Sequence, residues 1–333
     1  MKPGSLRNGS GFDTISAIEA EGEEGQGEVI RRDFSILRFR MDVAPERPWR
    51  APPFPGSTFR GAFGRALQDL VCVREHRQCG RCDLVATCAH PEVFEPRRIA
   101  APARGAGPVR PSPPWTLRWD LEQPWGGTIT GPYSLTWTLL GPATRHASLV
   151  LAAIRRALQE GLGAQRVRHA LQDVSFEGPA GKSGSGLWPL ADFLRPPPLD
   201  PPERVRVRFQ TPLRLKKNGA LSPAVRPEEL IRGIVRRLGL VGALDESCRE
   251  ATEGAIQASR RIVVARESTR WFDWTRRSSR QDSLMSLGGV MGEQAWEGPI
   301  GPVWSLLEAA AVLHVGRQTT FGLGRIGFDV NGG

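Results

Sequence analysis

The sequence lacks the features that mark a membrane protein or a secreted protein. Its apolar runs all fall short of the ~20 residues needed to cross a bilayer, so we expect neither a membrane span nor a membrane partner. The N-terminus has no basic segment followed by an apolar one, as a secretion signal would have. Cysteine is scarce, with five residues, mostly clustered. An odd, clustered set does not indicate a disulfide framework, and we expect a cytoplasmic location.

Acidic residues are outnumbered, with 35 aspartates and glutamates against 45 lysines and arginines. The formal net charge is +10 and the sequence pI is near 10.3. A surplus of this size favours a polyanionic partner, either a nucleic acid or an anionic surface, over solubility alone. The HExxH and GxSxG motifs are absent, so the chemistry of zinc proteases and α/β-hydrolases is not indicated.

Two parts of the chain repeat the same order of elements. Residues 33–43 (DFSILRFRMDV) and 203–211 (ERVRVRFQT) alternate apolar with charged side chains, which predicts strands with one buried and one charged face. Each stretch is followed by helix, strand, strand, helix and strand patterns. The sequence therefore predicts an α+β fold with two tandem ferredoxin-like (RRM-like, βαββαβ) domains, at residues 29–193 and 204–333.

Two further segments differ in composition from these domains. Residues 1–28 are rich in Gly, Ser and Glu, which predicts a disordered tail. Residues 194–203 (LRPPPLDPPE) are rich in proline, which predicts a stiff linker between the domains.

Four cysteines lie close together after the first predicted helix, in an insertion at residues 72–96. They are Cys72, Cys79, Cys82 and Cys88, with the spacing C-x6-C-x2-C-x5-C. Four thiolates with a central CxxC pair are sufficient ligands for a structural zinc ion, and His76 or His90 could replace one sulfur. A loop of free cysteines, or one disulfide, is the alternative interpretation.

Arginine is concentrated in one window of the second domain. Between Arg260 and Gln281, seven arginines stand against Glu267 and Asp273. Guanidinium groups suit phosphate oxygens and aromatic faces can stack on bases, so the pattern favours contact with a nucleic acid over a solvated hairpin. The residues expected to contact RNA here are Arg270, Trp274, Arg276, Arg277, Ser279, Arg280 and Gln281.

A glycine-rich loop at residues 316–327 follows the last predicted helix. Glycines allow close approach of backbone to a ligand, hydroxyls can donate hydrogen bonds and arginines add charge. The loop therefore predicts a phosphate-binding surface, although a tightly packed turn would explain the glycines alone. The residues of this expected surface are Gly316, Arg317, Thr319, Thr320, Gly322, Gly324 and Arg325, with Arg214, Lys216 and Lys217 as further phosphate clamps.

Several blocks of the sequence resemble a known family. TPLRLKKNGALSP (211–223), WFDWTRRSSRQ (271–281), SLGGVMG (286–292) and HVGRQTTFGLGR (314–325) are similar to the C-terminal domain of CRISPR precursor-RNA-processing endoribonucleases of the RAMP superfamily. STFRGAFGRALQDLVC (57–72), with the cysteine cluster, resembles the N-terminal part of these proteins. The family pattern would read HVGKGTTFGLGRY, so Gln318 occupies a glycine position.

The resemblance implies tandem ferredoxin-like domains that bind CRISPR repeat RNA, as a stem-loop, or the mature guide RNA. It also implies cleavage without a metal cofactor, in which a 2′-OH attacks the adjacent phosphorus to give a 2′,3′-cyclic phosphate. The candidate catalytic residues are His314, His76 and Arg60. The first predicted helix contains no histidine. This leaves open a non-catalytic RNA-binding subunit that holds the guide 3′ hairpin among the other subunits of a CRISPR effector complex.

Overall fold

The computed structural model describes residues 29–96, 111–120, 126–182, 184, 186–217, 219–278 and 283–330; the predicted disordered tail, 1–28, lies outside them. The elements of the first half are β1 (Ser35–Pro45), β2 (Trp49–Ala51), α1 (Gly56–Val71), α2 (Ala89–Val93), β3 (Trp115–Asp120), β4 (Gly127–Ile129), β5 (Tyr133–Leu140), α3 (Ala147–Glu160), β6 (His169–Phe176) and β7 (Trp188–Pro189).

The first half folds as a helix-backed antiparallel sheet with the strand order β3-β5-β1-β6. Phe39, Met41 and Val43 of β1 alternate toward the core, where they are fully buried, because successive side chains of a strand point to opposite faces. Phe59 and Phe63 of α1 lie one helical turn apart and enter the same core. This alternation and helical spacing place one hydrophobic layer between the sheet and its helices.

The second half repeats this arrangement. Its elements are β8 (Arg204–Leu213), β9 (Lys216–Lys217), β10 (Ala220–Leu221), α4 (Pro227–Val241), α5 (Arg249–Ser259), β11 (Val263–Phe272), β12 (Thr275–Ser278), β13 (Ser283–Ser286), β14 (Gly289–Glu297), α6 (Trp304–Leu313) and β15 (Ile326–Asp329). The main sheet has the order β11-β14-β8-β15, which is the order of the first sheet element for element. The predicted α+β fold with tandem ferredoxin-like units is confirmed, and α5 is an additional helix.

The two halves share side chains across their boundary. The core of the second half takes in Phe34, Ile36 and Leu140 from the first half. Ile36 and Leu140 are paired in register on β1 and β5, on the sheet face opposite the first core. The outer face of the first sheet is therefore partly covered by the second half.

A buried cation also bridges the two halves. Arg237 of α4 is buried, and its guanidinium donates to the Ser112 hydroxyl and to the carbonyls of Pro113 (3.3 Å) and Trp115 (3.5 Å) just before and within β3. Burial lowers the pKa of Arg237 to about 9. A cluster of Phe54, Phe272, Trp274 and Leu323 joins the halves at a second point. Among the described residues, no helix is both long enough and apolar enough to span a bilayer.

Candidate nucleic-acid interface

The glycine-rich loop packs tightly between the two halves. At Gly322 the φ angle is +82°, and a Cβ there would lie 2.9 Å from the Leu117 carbonyl oxygen of β3. At Gly316 the φ angle is +85°, and a Cβ would lie 2.6 Å from the Arg214 carbonyl oxygen. Both positions require a left-handed backbone and close approach, which only glycine gives without strain. These glycines bring the loop against both sheets.

This packing divides the predicted phosphate-binding residues of the loop into buried and accessible ones. Gly322, Gly324, Thr319 and Thr320 are buried, so the two hydroxyls are not presented to a ligand. Thr319, Thr320, Gly322 and Gly324 therefore do not fit the predicted direct contact with RNA. Gly316 is half-buried, as is Arg325, and Arg317 is exposed, and these positions remain accessible.

Arg325 lies within electrostatic range of two arginines on the outer face of the first sheet. Arg38 of β1 lies opposite Thr138 of β5, and Arg118 of β3 lies opposite Thr136 of β5, which places the two arginines diagonally across one strand. The Arg325 backbone N–H donates to the Thr211 hydroxyl at 2.9 Å, which fixes the end of the loop at β8. The charges of Arg38, Arg118 and Arg325 interact with one another.

This group, which we call the arginine triad, has three positive charges, and the nearby carboxylates that act on it are Glu177 and Asp120. Arg118 pairs with Asp120 at 3.0 Å. Within the described part of the chain, neither Arg38 nor Arg325 has a carboxylate at salt-bridge distance. Burial, and then the charge of Arg118, lower the pKa of Arg38 to about 10. The same two causes lower the pKa of Arg325. Like charges brought together in a partly desolvated place are stabilised when an anion binds between them.

Two polar atoms beside the triad are left without partners. The Nε of Arg38 and the Oγ1 of Thr136 are buried and have no hydrogen-bond partner among the described residues. Both atoms are closed to solvent, so a ligand reaches them only if the side chains move. Arg38 and Arg118 were missed as site residues in the sequence. Their alternation with apolar residues predicted only a charged face, because the partners on that face come from distant strands.

The predicted phosphate clamps after β8 differ in their exposure to solvent. Arg214 is buried and donates through its guanidinium to the Gly288 carbonyl, while its own carbonyl accepts from Arg317 N at 3.1 Å. Burial, and then the charge of Arg317, lower the pKa of Arg214. Arg214 therefore braces the loop rather than reaching a ligand. Lys216 and Lys217 are exposed on β9, and Lys217 pairs with Glu229 at 2.6 Å.

The predicted arginine hairpin begins on β11 and is anchored at its base. The Phe54 ring lies 4.8 Å from the Trp274 ring and 5.7 Å from the Phe272 ring, so Trp274 packs against the first half and is half-buried. Arg270 is exposed on β11. The side chains of Arg276 and Arg277, together with Ser279, Arg280 and Gln281, lie outside the described residues.

His314 does not fit the general acid or base role predicted for it. Its side chain is 3% exposed, and Nδ1 has no hydrogen-bond partner among the described residues. Burial, and then the nearby charges of Arg325 and Arg237, lower the pKa of His314 to about 3. The imidazole is therefore held neutral in the interior. It donates to the Leu323 backbone and so helps to hold the glycine-rich loop in place.

The other catalytic candidates lie near the cysteine-rich insertion. The guanidinium of Arg60 stacks 4.0 Å above the Phe94 ring, donates to the Phe94 carbonyl at 3.3 Å and lies 5.8 Å from the Phe321 ring of the glycine-rich loop. His76 is exposed after α1, where its Nδ1 accepts from Gln78 N at 3.0 Å. Arg60 is thus the candidate beside the loop.

The remaining histidines are buried or lie beside a carboxylate. His90 and His169 are buried, and His146 lies 3.0 Å from a Glu92 carboxylate oxygen. Cys72, Cys79, Cys82 and Cys88 are all half-buried in the insertion between α1 and α2, and none of them forms a disulfide in the described part of the chain. Burial, and then the thiolates of Cys88 and Cys72, raise the pKa of Cys79.

The strand orders and the shared boundary define a tandem ferredoxin-like protein with a cationic junction. Solved structures with this fold include a Cas6 (TTHB231) product complex, with a TM-score of 0.56 and 17% identity over 88% of this chain and 100% of that chain. Thermus thermophilus Cas6 (TTHB231) gives a TM-score of 0.52 and 15% identity over 89% and 99% of the two chains. A partial Cas6-RT-Cas1–Cas2 complex gives 0.52 and 11% identity over 91% and 47%.

Family models divide the chain at the same junction. The model of the CRISPR-associated endoribonuclease Cas6 matches residues 207–326, and a model described as an N-terminal domain matches residues 34–192. The C-terminal domain is therefore similar to the CRISPR-associated endoribonuclease Cas6, as the sequence resemblance predicted. No curated protein sequence gives a significant match to the chain.

Proposed function

We propose that this protein binds CRISPR repeat RNA along the junction of its two domains and cleaves it to release mature guide RNAs. The observation that carries the proposal is the arginine triad of Arg38, Arg118 and Arg325. These cations converge beside the glycine-rich loop with fewer carboxylates than charges. A nucleic-acid backbone supplies the repeating negative charge that such a surface lacks.

The proposed reaction uses the nucleophile that RNA itself carries. The 2′-oxygen attacks the adjacent phosphorus, and the bond from phosphorus to the 5′-oxygen breaks. The products are a 2′,3′-cyclic phosphate and a 5′-hydroxyl, with the 2′ proton lost to a base and a proton delivered to the leaving oxygen. No metal cofactor is required by this scheme.

The chain's own contribution is charge stabilisation and positioning. Arg317 is exposed on the loop, Arg325 is half-buried at its end, and Arg60 lies against Phe321 within it. Guanidinium groups held by the fold can stabilise the extra negative charge of the pentacoordinate phosphorus without reorganising. We assign this role to Arg60, Arg317 and Arg325.

Few histidines are accessible enough to act as the general acid or base. Three of the five are buried and His146 is paired with Glu92, which leaves His76 as the exposed one. If no imidazole participates, the cleavage rate rises steadily with pH, because the 2′-hydroxyl ionises more readily as hydroxide increases. A bell-shaped profile that disappears in His76→Ala would instead assign acid–base catalysis to His76.

The same observation favours a second candidate function, an RNA-binding subunit that holds the guide 3′ hairpin without cleaving it. One experiment separates the two. End-labelled repeat RNA is incubated with the protein in excess EDTA, beside RNA in which the scissile 2′-OH is replaced by hydrogen. We expect only the first RNA to be cut and both to be bound. Binding of both without cleavage would support the second function, and cleavage of the deoxy RNA would contradict the mechanism.

A further inference from the structure

The cysteine-rich insertion surrounds a small cavity of its own. The cavity has a volume of about 20 Å³ and is lined by all four clustered cysteines, Cys72, Cys79, Cys82 and Cys88, together with His76 and His90. A volume of about 10–15 Å³ holds one water-sized body. The cavity therefore has room for a single ion and too little room for an organic ligand.

The segment around the cavity has no hydrophobic core. Between Cys72 and Cys88 none of the side chains is buried, and the regular structure is limited to one short 3-10 turn at Cys79–Arg81. The segment is held by exposed ion pairs, such as that of Arg74 with Asp83 at 2.5 Å. Exposed ion pairs contribute little stability, and irregular loops of this length need another source of order.

We propose that Cys72, Cys79, Cys82 and Cys88 bind one structural zinc ion within this cavity. Four thiolates satisfy the tetrahedral preference of zinc and leave no open position for water, so the ion stabilises the fold and takes no part in cleavage. Thiolate ligands select zinc over magnesium or calcium, which prefer oxygen. In this way the metal replaces the missing core of the insertion.

His90 is the positioning residue of this site. It is buried at the start of α2, and its Nδ1 lies 3.5 Å from the Cys79 sulfur. Ring nitrogens that donate to a ligating group orient it and tune its affinity for metal. Among the described residues, no three His, Cys, Asp or Glu side chains already converge at metal-ligand distances. Binding therefore draws the thiols inward, as in small domains that order on binding metal.

The zinc ion also secures the surface beneath Arg60. α2 leads directly into Phe94, whose ring fills the space that a Cβ at Gly64 of α1 would occupy and supports the Arg60 guanidinium at 4.0 Å. A fixed insertion thus holds Arg60 toward the glycine-rich loop. This is a structural link, and it does not depend on whether the protein cleaves RNA.

The test measures zinc in the full-length protein, purified with a thiol reductant and analysed for metal content. We expect about one zinc per chain, as for a closed four-ligand site. Cys79→Ser and Cys88→Ser should lose the metal, whereas Cys248→Ser should keep it. Cys248 is the matched control because it is buried elsewhere, ahead of α5. His90→Gln should retain zinc with affinity lowered about 10-fold.

A second measurement uses the wild-type protein, so it tests the proposal even if the cysteine variants fail to fold. The wild-type protein is stripped of metal and titrated with cobalt(II), which gives thiolate charge-transfer absorption in a tetrahedral sulfur site. Absence of this absorption, together with no zinc uptake on reconstitution, would overturn the proposal. So would equal metal loss in Cys248→Ser, or a disulfide within the cluster found by thiol counting. The zinc content is also measured after the cleavage reaction in EDTA. Loss of zinc and failure to cleave RNA are then recorded as two separate results.

Discussion

The two domains have the same strand order but treat their arginines differently. On the outer face of the second sheet, Arg204 pairs with Glu297 at 3.0 Å and Arg208 pairs with Asp329 at 2.7 Å. On the outer face of the first sheet, Arg38 has no carboxylate at that distance among the described residues, and Arg325 joins it from the loop. The same fold thus neutralises Arg204 and Arg208 on one sheet and leaves Arg38 without such a partner on the other.

The unpaired charge indicates where an anionic ligand would be stabilised. A paired arginine on an exposed face gains little from a phosphate, because its carboxylate must first be displaced. A partly buried arginine beside other arginines gains much more, because the phosphate relieves repulsion as well as forming hydrogen bonds. The paired Arg204 and Arg208 therefore stabilise the second sheet, whereas the triad is suited to bind the ligand.

The largest expected effect comes from removing charge from the arginine triad. Arg38→Met with Arg325→Met should weaken repeat-RNA binding on the order of 100-fold, since each lost charge-assisted hydrogen bond costs about 1.5 kcal/mol or more. The slope of log affinity against log salt should also fall by about 1 to 2. Gel-shift titrations at several salt concentrations measure both quantities.

The matched control is the same double change on the second sheet. Arg204→Met with Arg208→Met removes the same formal charge, and we expect an affinity loss below about threefold. Thermal unfolding checks that the first variant remains folded, and its stability should not fall, because a desolvated like charge has been removed. Equal losses of affinity in the two double variants would contradict the comparison.

A smaller effect concerns pH, because burial, and then the charges of Arg325 and Arg237, lower the pKa of His314. The folded protein holds the pKa of His314 at about 3, below the ordinary 6.5. Above the ordinary pKa neither state binds the proton, so stability is unaffected. As pH falls below it, only the unfolded chain takes up the proton. The free energy of unfolding then drops by up to about 1.4 kcal/mol per pH unit.

His314→Gln tests this assignment, because the amide keeps a donor for the Leu323 backbone and does not titrate. Urea denaturation at pH values from about 7 to 4 should show a shallower loss of stability in the variant than in the wild type. His169→Gln is the comparison from the first domain, where burial also lowers the histidine pKa. Parallel pH profiles for wild type and His314→Gln would show that His314 does not carry this pH dependence.

The fold could be predicted because its signals are local. Alternation in β1 and β8 and the apolar stripes of α1 and α4 depend on neighbouring residues only, and each is present in the structure. The helix α5 was missed for a related reason. Its buried side chains are Thr252, Ala255, Ala258 and Ser259, so small and polar residues face the core and no apolar stripe is visible.

The candidate site could be predicted only in part, because it is assembled from distant segments. Arg38 and Arg118 are 80 positions apart and become neighbours only because β5 lies between their strands. The cationic loop was visible in the sequence, whereas the burial of His314, Thr319 and Thr320 follows from how that loop packs between the halves. Residue type indicates chemistry, but accessibility is set by tertiary packing.

The smallest effect separates the packing role of the glycine-rich loop from its role toward RNA. Gln318 has φ +60° and ψ +36°, a left-handed conformation at a position where the family pattern has glycine, and its side-chain Oε1 is buried without a partner among the described residues. Gln318→Gly should raise the free energy of unfolding by about 1 kcal/mol, since it removes both the strained β-carbon and the unpaired oxygen. Gln318→Ala removes only the oxygen, so its gain in denaturant midpoint should be smaller. RNA affinity should be unchanged in both variants, because the arginine triad is untouched; a large change in affinity without a change in stability would place Gln318 in the RNA-binding surface.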